Sequence, residues 1–151
     1  MFEEIKRVGC RCGRTHVCSV RDVITGAGAV KKLPESLNML GASKPFVVTD
    51  KNTLDAAGRD VLSVLDGAGI AYTPFTFADA VIKPDEHAAG SLIMHFDTEC
   101  DAVIGVGSGV INDCCKILAA KTKRPYVIVA SAPSMDGFAS DTSSVEIDGL
   151  K

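Results

Sequence analysis

The densest run of residues able to do chemistry is GVGSGVINDCCK, residues 105–116, which follows the apolar run Asp101-Ala-Val-Ile and leads into an apolar-periodic segment. Gly105, Gly107 and Gly109 therefore stand where a strand hands over to a helix. Glycine accepts positive φ and lets a ligand come close to the backbone. A helix N-terminus turns unpaired N–H groups outward with partial positive charge. Together these make a cradle for an anion, most often a phosphate. A tight turn also uses glycine with no ligand involved. Two common phosphate fingerprints fail on spacing: Val110 and Ile111 follow Gly109 where a P-loop would have Lys-Ser/Thr, and Gly105-x-Gly107 has Val110, not glycine, at its third position.

The remaining candidates are few. Asp50 ends the run Phe46-Val-Val-Thr49, where a carboxylate could accept hydrogen bonds from the two hydroxyls of a ribose, or could cap the helix that follows. Asp79 and Asp85 read as loop and cap residues, and His87 and His95 as solvated helix positions. Ser131-Ala-Pro-Ser-Met-Asp-Gly-Phe-Ala-Ser140 is a polar loop with one proline and one carboxylate, Asp136. Cys10, Cys12, His16 and Cys18 are four potential soft-metal ligands within nine positions. However, Cys-x-Cys is not the usual zinc knuckle, and a reduced, partly exposed strand region is the favoured reading. Cys114 and Cys115 read as small hydrophobes in a helix, one toward the core and one beside it.

These residues are positioned by alternating patterns. Strands are expected over Val17 to Ile24, Pro45 to Asp50, Ile70 to Phe77, Ala102 to Val106 and Tyr126 to Ala130. Helices are expected over Ala29 to Leu40, Leu54 to Gly67, Asp85 to Cys100 and onward from Gly109. Such alternation implies an α/β fold: a doubly wound, mostly parallel, Rossmann-like sheet with helices on both faces and right-handed crossovers. Ligands of such sheets bind beyond the carboxyl ends of the strands. At the C-terminus, Asp148-Gly149 is a strong hairpin signal with only two residues after it. The segment from Thr142 is therefore expected to fray or to pair with another copy, leaving Asp136 at an open edge.

Bulk properties agree with one globular domain of 151 residues, 46% hydrophobic, with a net charge of −3. No basic footprint points to nucleic acid. No apolar run has transmembrane length, and the polar start MFEEIKRVGCRCGR is unlike a signal peptide. A cytoplasmic protein with reduced cysteines is expected.

The pair GSGVINDCCK and SAPSMDGFAS resembles the two signature regions of the iron-containing alcohol dehydrogenase and dehydroquinate synthase superfamily. APSMDGFAS and the opening CRCGRTH are most similar to its glycerol-1-phosphate dehydrogenase branch, and the resemblance spans nearly the whole chain. The superfamily pattern G-G-G-x-x-x-D-x-x-K falls on Gly107, Ser108, Gly109, Asp113 and Lys116, with serine for the middle glycine.

The resemblance implies a set of roles. Gly107, Ser108, Gly109, Val110, Ile111 and Asn112 would hold the pyrophosphate of NAD or NADP, and Asp50 the adenine ribose. Asp113 would reach toward the nicotinamide half, or else form an i,i+3 pair with Lys116. Ser131, Ser134 and Ser140 would lie along the cofactor, and Asp136 would bind a hydroxyl of a small phosphorylated polyol. The activity implied is hydride transfer between a secondary alcohol and a ketone. It would be assisted by a divalent metal (zinc, nickel or iron) whose ligands lie in a helical domain beyond residue 151. By itself this chain would be the inactive cofactor-binding half, possible as a homodimer. A dehydroquinate synthase-like or glycerol dehydrogenase activity, and a stand-alone nucleotide-binding module without turnover, are the alternatives.

Overall fold

The structure, a computed structural model, describes residues 6–7, 9–13, 15–17, 20–79 and 81–150. Strands β1 (Lys6–Arg7) and β2 (His16–Val17) form a small antiparallel pair. The main sheet holds β3 (Pro45–Asp50), β4 (Thr73–Phe77), β5 (Ala102–Gly107) and β6 (Tyr126–Ala130) in the order β4-β3-β5-β6, every neighbouring pair parallel. β3 and β5 lie at its centre. Their sequences PFVVTD and AVIGVG are almost entirely buried, as strands covered on both faces must be.

The connections explain which face each helix covers. The chain passes from β3 outward to β4, then back across β3 to β5 and on to β6. Crossovers of one hand that travel in opposite directions must run over opposite faces. Accordingly, α1 (Leu33–Leu40) and α3 (Arg59–Gly67) bury Leu33, Leu37, Val61 and Leu65 against Val47, Ile104 and Val106. On the other face, α4 (Glu86–His95) and α5 (Gly109–Thr122) bury Leu92, Ile111, Cys114, Cys115 and Leu118 against Phe46, Val48 and Val103. Alternate strand residues thus serve alternate cores. Phe46 also stacks with Phe75 at 6.0 Å and meets Phe96 edge-on at 5.4 Å.

The helical segment after β3 begins as α2 (Lys51–Thr53), widens into a π-type turn over Leu54–Gly58 and continues as α3. Gly58 lets it lie close to the sheet: a Cβ there would come within 3.0 Å of the Thr49 methyl and 3.1 Å of Leu54.

Several expectations are corrected. No strand runs from Val17 to Ile24: β2 ends at Val17 and, of that span, residues 20–24 are not extended into any sheet, with Val23 exposed. The helix expected from Leu54 starts at Lys51, because Asp50 caps it. The strand expected from Ile70 starts at Thr73, since the Ile70 amide closes the end of α3 by donating to Leu65 O. α4 stops at His95, short of Cys100. Beyond it the Asp97 carboxylate accepts from the Glu99 amide and from Thr73 Oγ1, competing with the helix for the backbone. The C-terminal segment neither frays nor lacks a return. Asp148 and Gly149, with φ of 52° and 75°, make a turn closed by two hydrogen bonds between Ile147 and Leu150, and the Glu146 amide donates to Pro84 O at 2.8 Å. Both Cys114 and Cys115 are fully buried.

Candidate functional site

In the order β4-β3-β5-β6 the chain leaves β3 in one direction and β5 in the other. The helices that follow these two strands therefore diverge to opposite faces and open a crevice beyond the strand ends. A cavity of about 330 Å³ lies there. Asp50, Lys51 and Asn52 line it from the end of β3, Ser108, Val110 and Ile111 from the end of β5, and Asp79, Val81 and Ile82 from the segment after β4. A neighbouring cavity of about 320 Å³ shares Asp79, Val81 and Ile82 and is also lined by Lys83, Asp85 and His87.

Asp50 fills the role of a helix cap and still lines the cavity. Its Oδ1 accepts from the Thr53 amide at 2.7 Å while Thr53 Oγ1 accepts from the Asp50 amide at 2.9 Å, a reciprocal capping box. The two readings of Asp50 are thus compatible. A carboxylate held by one oxygen is oriented for whatever the other meets.

On the opposite lip, the first hydrogen bond of α5 runs from the Asn112 amide to Ser108 O at 2.9 Å. The amides of Gly109, Val110 and Ile111 precede it and are the helix's orphan donors. Ser108 makes no side-chain cap, so this N-terminus keeps the partial positive charge an anion needs.

None of the three glycines has a positive φ. What they supply is space. A Cβ on Gly105 would meet Tyr126 Oη at 2.8 Å and Cys115 Sγ at 3.1 Å, and one on Gly107 would meet Ile111 Cβ at 2.7 Å. Both are explained by packing of the turn on its own helix and strand. A Cβ on Gly109 would meet only Met135 Sδ, at 3.1 Å, so this glycine faces the loop after β6.

That loop is tied down over the turn. The Ser131 amide donates to Gly107 O at 3.0 Å, and Lys116 Nζ donates to Gly137 O at 2.7 Å and to Thr142 O at 3.2 Å. Lys116 therefore spends its hydrogen bonds on the loop and does not pair with Asp113, which is half-buried. Ser131 is half-buried, Ser134 and Asp136 are exposed, and Ser140 is engaged with Thr142, their hydroxyls 2.8 Å apart. Asn112 lies beneath the turn: fully buried, its Oδ1 accepts from Tyr126 Oη at 3.2 Å and its side-chain Nδ2 has no hydrogen-bond partner among the described residues.

Lys51, Asn52, Asp79, Val81 and Ile82 line the cavity without having been singled out for binding in the sequence. The rule that ligands lie beyond strand ends points to residues 51 and 52, immediately after β3. Nothing in the pattern marks 79–82. Burial pushes the Cys114 thiol up to about 12, with the charges of Asp113 and Asp85 adding to it, and burial likewise raises Cys115. Both stay protonated and unreactive.

Among the described residues no group of three or more His, Cys, Asp or Glu could hold a metal ion. Cys10 and Cys12 sit on a turn closed by the Gly13 amide donating to Cys10 O, and Cys18 lies outside the described residues. His87 and His95 are exposed on α4.

The sequence matches the iron-containing alcohol dehydrogenase family over residues 24–151. It is 33% identical over 157 aligned positions to a glycerol-1-phosphate dehydrogenase [NAD(P)+] of Halalkalibacterium halodurans, covering 100% of this chain and 39% of that protein. It is 38% identical over 120 positions to a protein of the same name from Thermofilum pendens, covering 78% of this chain and 33% of that one. The chain thus spans well under half of the relatives it matches. An iron-containing alcohol dehydrogenase from Thermococcus thioreducens superposes with a TM-score of 0.70 over 85% of this chain and 40% of its own; at 13% identity this likeness speaks for the fold alone. With that family match over residues 24–151 and 33% identity across the whole chain, the chain belongs to the iron-containing alcohol dehydrogenase family.

Proposed function

We propose that this chain is the dinucleotide-binding part of a metal-dependent, NAD(P)-linked glycerol-1-phosphate dehydrogenase that interconverts dihydroxyacetone phosphate and sn-glycerol 1-phosphate in the cytoplasm. The observation that carries the reading is the cavity between the ends of β3 and β5, with a capped carboxylate on one lip and orphan helix amides on the other. Asp50 accepts hydroxyls of the adenine ribose. The amides of Gly109, Val110 and Ile111, with the Ser108 hydroxyl, hold the pyrophosphate, while Gly107 and the buried Asn112 fix the turn from below. Ser131, Ser134 and Ser140 place the loop along the nicotinamide half, with Asp113 beneath it, and Asp136 takes a hydroxyl of the phosphorylated polyol. The dinucleotide, when bound, accepts or donates the hydride. The divalent metal belongs to residues outside this chain, so no step here passes through it.

The test is a titration with NADH, read by fluorescence or calorimetry. Asp50→Asn keeps a good helix cap but removes the charge from the ribose hydrogen bonds, and should weaken binding by about 1–3 kcal/mol. Affinity equal to that of the unaltered chain would leave Asp50 with capping alone.

A further inference from the structure

The cavity between β3 and β5 carries charge of both signs side by side. Asp50 and Lys51 both line it, with Asn52 next in the chain. Lys51 is the only basic residue among the described residues lining it, and it is exposed. The ion pairs among the described residues involve Lys44 and Arg59, and none of the described carboxylates lies within 4.0 Å of the Lys51 ammonium. Adjacent Asp50 forms no ion pair with it and engages the Thr53 amide through its Oδ1. Lys51 is thus an exposed ammonium, in no ion pair among the described residues, on a rim whose carboxylates are Asp50 and Asp79.

The chemical difference between the two nicotinamide dinucleotides is a phosphate on that ribose's 2'-oxygen. A carboxylate suits the free hydroxyl and repels the phosphate, whereas a neighbouring basic side chain reverses the preference. We propose that Lys51, assisted by the Asn52 amide, is the residue that receives the 2'-phosphate of NADP, while Asp50 receives the 2'- and 3'-hydroxyls of NAD, so that one rim serves both cofactors. This rests on the dinucleotide reading above and assigns specificity within it. An ammonium on a flexible stem can swing aside when NAD is bound, so Lys51 should affect the two ligands unequally.

The experiment measures NADH and NADPH affinity for the chain, Lys51→Gln and Asp50→Asn, with far-ultraviolet circular dichroism to verify the fold. Lys51→Gln should weaken NADPH about tenfold, the size of one charge-assisted hydrogen bond lost, and change NADH by less than about twofold. Asp50→Asn should shift the ratio the other way, weakening NADH and sparing or improving NADPH. The NADPH affinity of the unaltered chain should also fall more steeply with salt than that of NADH. Equal losses for both ligands in Lys51→Gln, or no loss for either, would overturn the role given to Lys51 and leave the dinucleotide site standing. If neither dinucleotide binds the unaltered chain, the site and this proposal fall together.

Discussion

At the scale of single residues, the most exposed bet in the fold is a buried one. The Asn112 side chain is completely enclosed at the start of α5, yet only its Oδ1 is satisfied, by Tyr126 Oη, and its Nδ2 has no partner among the described residues. The Tyr126 hydroxyl fits because residue 105 is glycine, and burial raises its pKa well above the ordinary value, so it remains a donor at any physiological pH. Tyr126→Phe removes that donor and leaves Asn112 wholly unsatisfied, which should cost about 1–3 kcal/mol in denaturant-unfolding stability. Asn112→Leu together with Tyr126→Phe replaces both polar groups by apolar ones of similar shape. The pair should therefore lose less than Tyr126→Phe does alone. If the two changes simply add, the hydrogen bond contributes nothing and the turn is held by packing only.

At the scale of elements, the central strands and helix order follow directly from the sequence, and the boundaries do not. β3 and β5 are runs of buried apolar residues long enough to be recognised, and Gly109 marks the start of α5 where its glycine lies. The ends that no apolar pattern marks are set by single hydrogen bonds: the Ile70 amide closes α3 on Leu65 O, and just past α4 the Asp97 carboxylate takes the Glu99 amide and the Thr73 hydroxyl. The same logic applied to the site: Asp50 was legible as a strand-end carboxylate, but the use of Lys116 to tether the loop after β6 spans 21 residues and has no local signature. The glycines were legible as a turn, whereas the reason for them, room for Tyr126, Ile111 and Met135, depends on packing.

The opposite end of the sheet from the cavity is held by charge. Lys44 contacts Asp97 at 2.9 Å and Glu99 at 2.8 Å, and the Asp101 carboxylate accepts from Ser43 Oγ and from the amides of Ser43 and Lys44. The hydrogen bonds from Lys44 and then Thr73 bring Asp97 down to about 2. For Asp101, burial alone would raise the carboxyl, but the bonds from Ser43 and Lys44 outweigh it and the net shift is downward. A carboxylate depressed on folding adds stability that is complete above its unfolded value near 3.9 and is lost as the pH falls toward the folded one. Stability should thus decline between about pH 4 and pH 2, and the decline should be shallower in Asp97→Asn. Thermal unfolding followed across that range checks it; an identical pH slope in the variant would remove Asp97 from the account.

At the scale of the whole molecule, binding and turnover should separate. The described residues bring a cavity, a capped carboxylate and a helix N-terminus to one end of the sheet, but nowhere gather three metal-ligating side chains. A ligand that binds the folded chain alone stabilises it by RT ln(1 + [L]/Kd), about 2.7 kcal/mol at a hundred times Kd. For a chain of this length each kcal/mol raises the melting temperature by about 2–4 °C, so saturating NADH should raise it by roughly 5–10 °C. The same preparation, given zinc, nickel or iron with sn-glycerol 1-phosphate and NAD, should form no NADH above the no-enzyme rate. In the proposed reading a polyol hydroxyl at Asp136, on an exposed loop, has no Lewis acid beside it among the described residues to lower its pKa and hold the alkoxide from which hydride departs. Metal-dependent turnover by the 151-residue chain would mean that its ligands lie among residues assigned here to packing, capping or the N-terminal turn. A melting temperature unmoved by either dinucleotide would remove the cavity between β3 and β5 as the cofactor site.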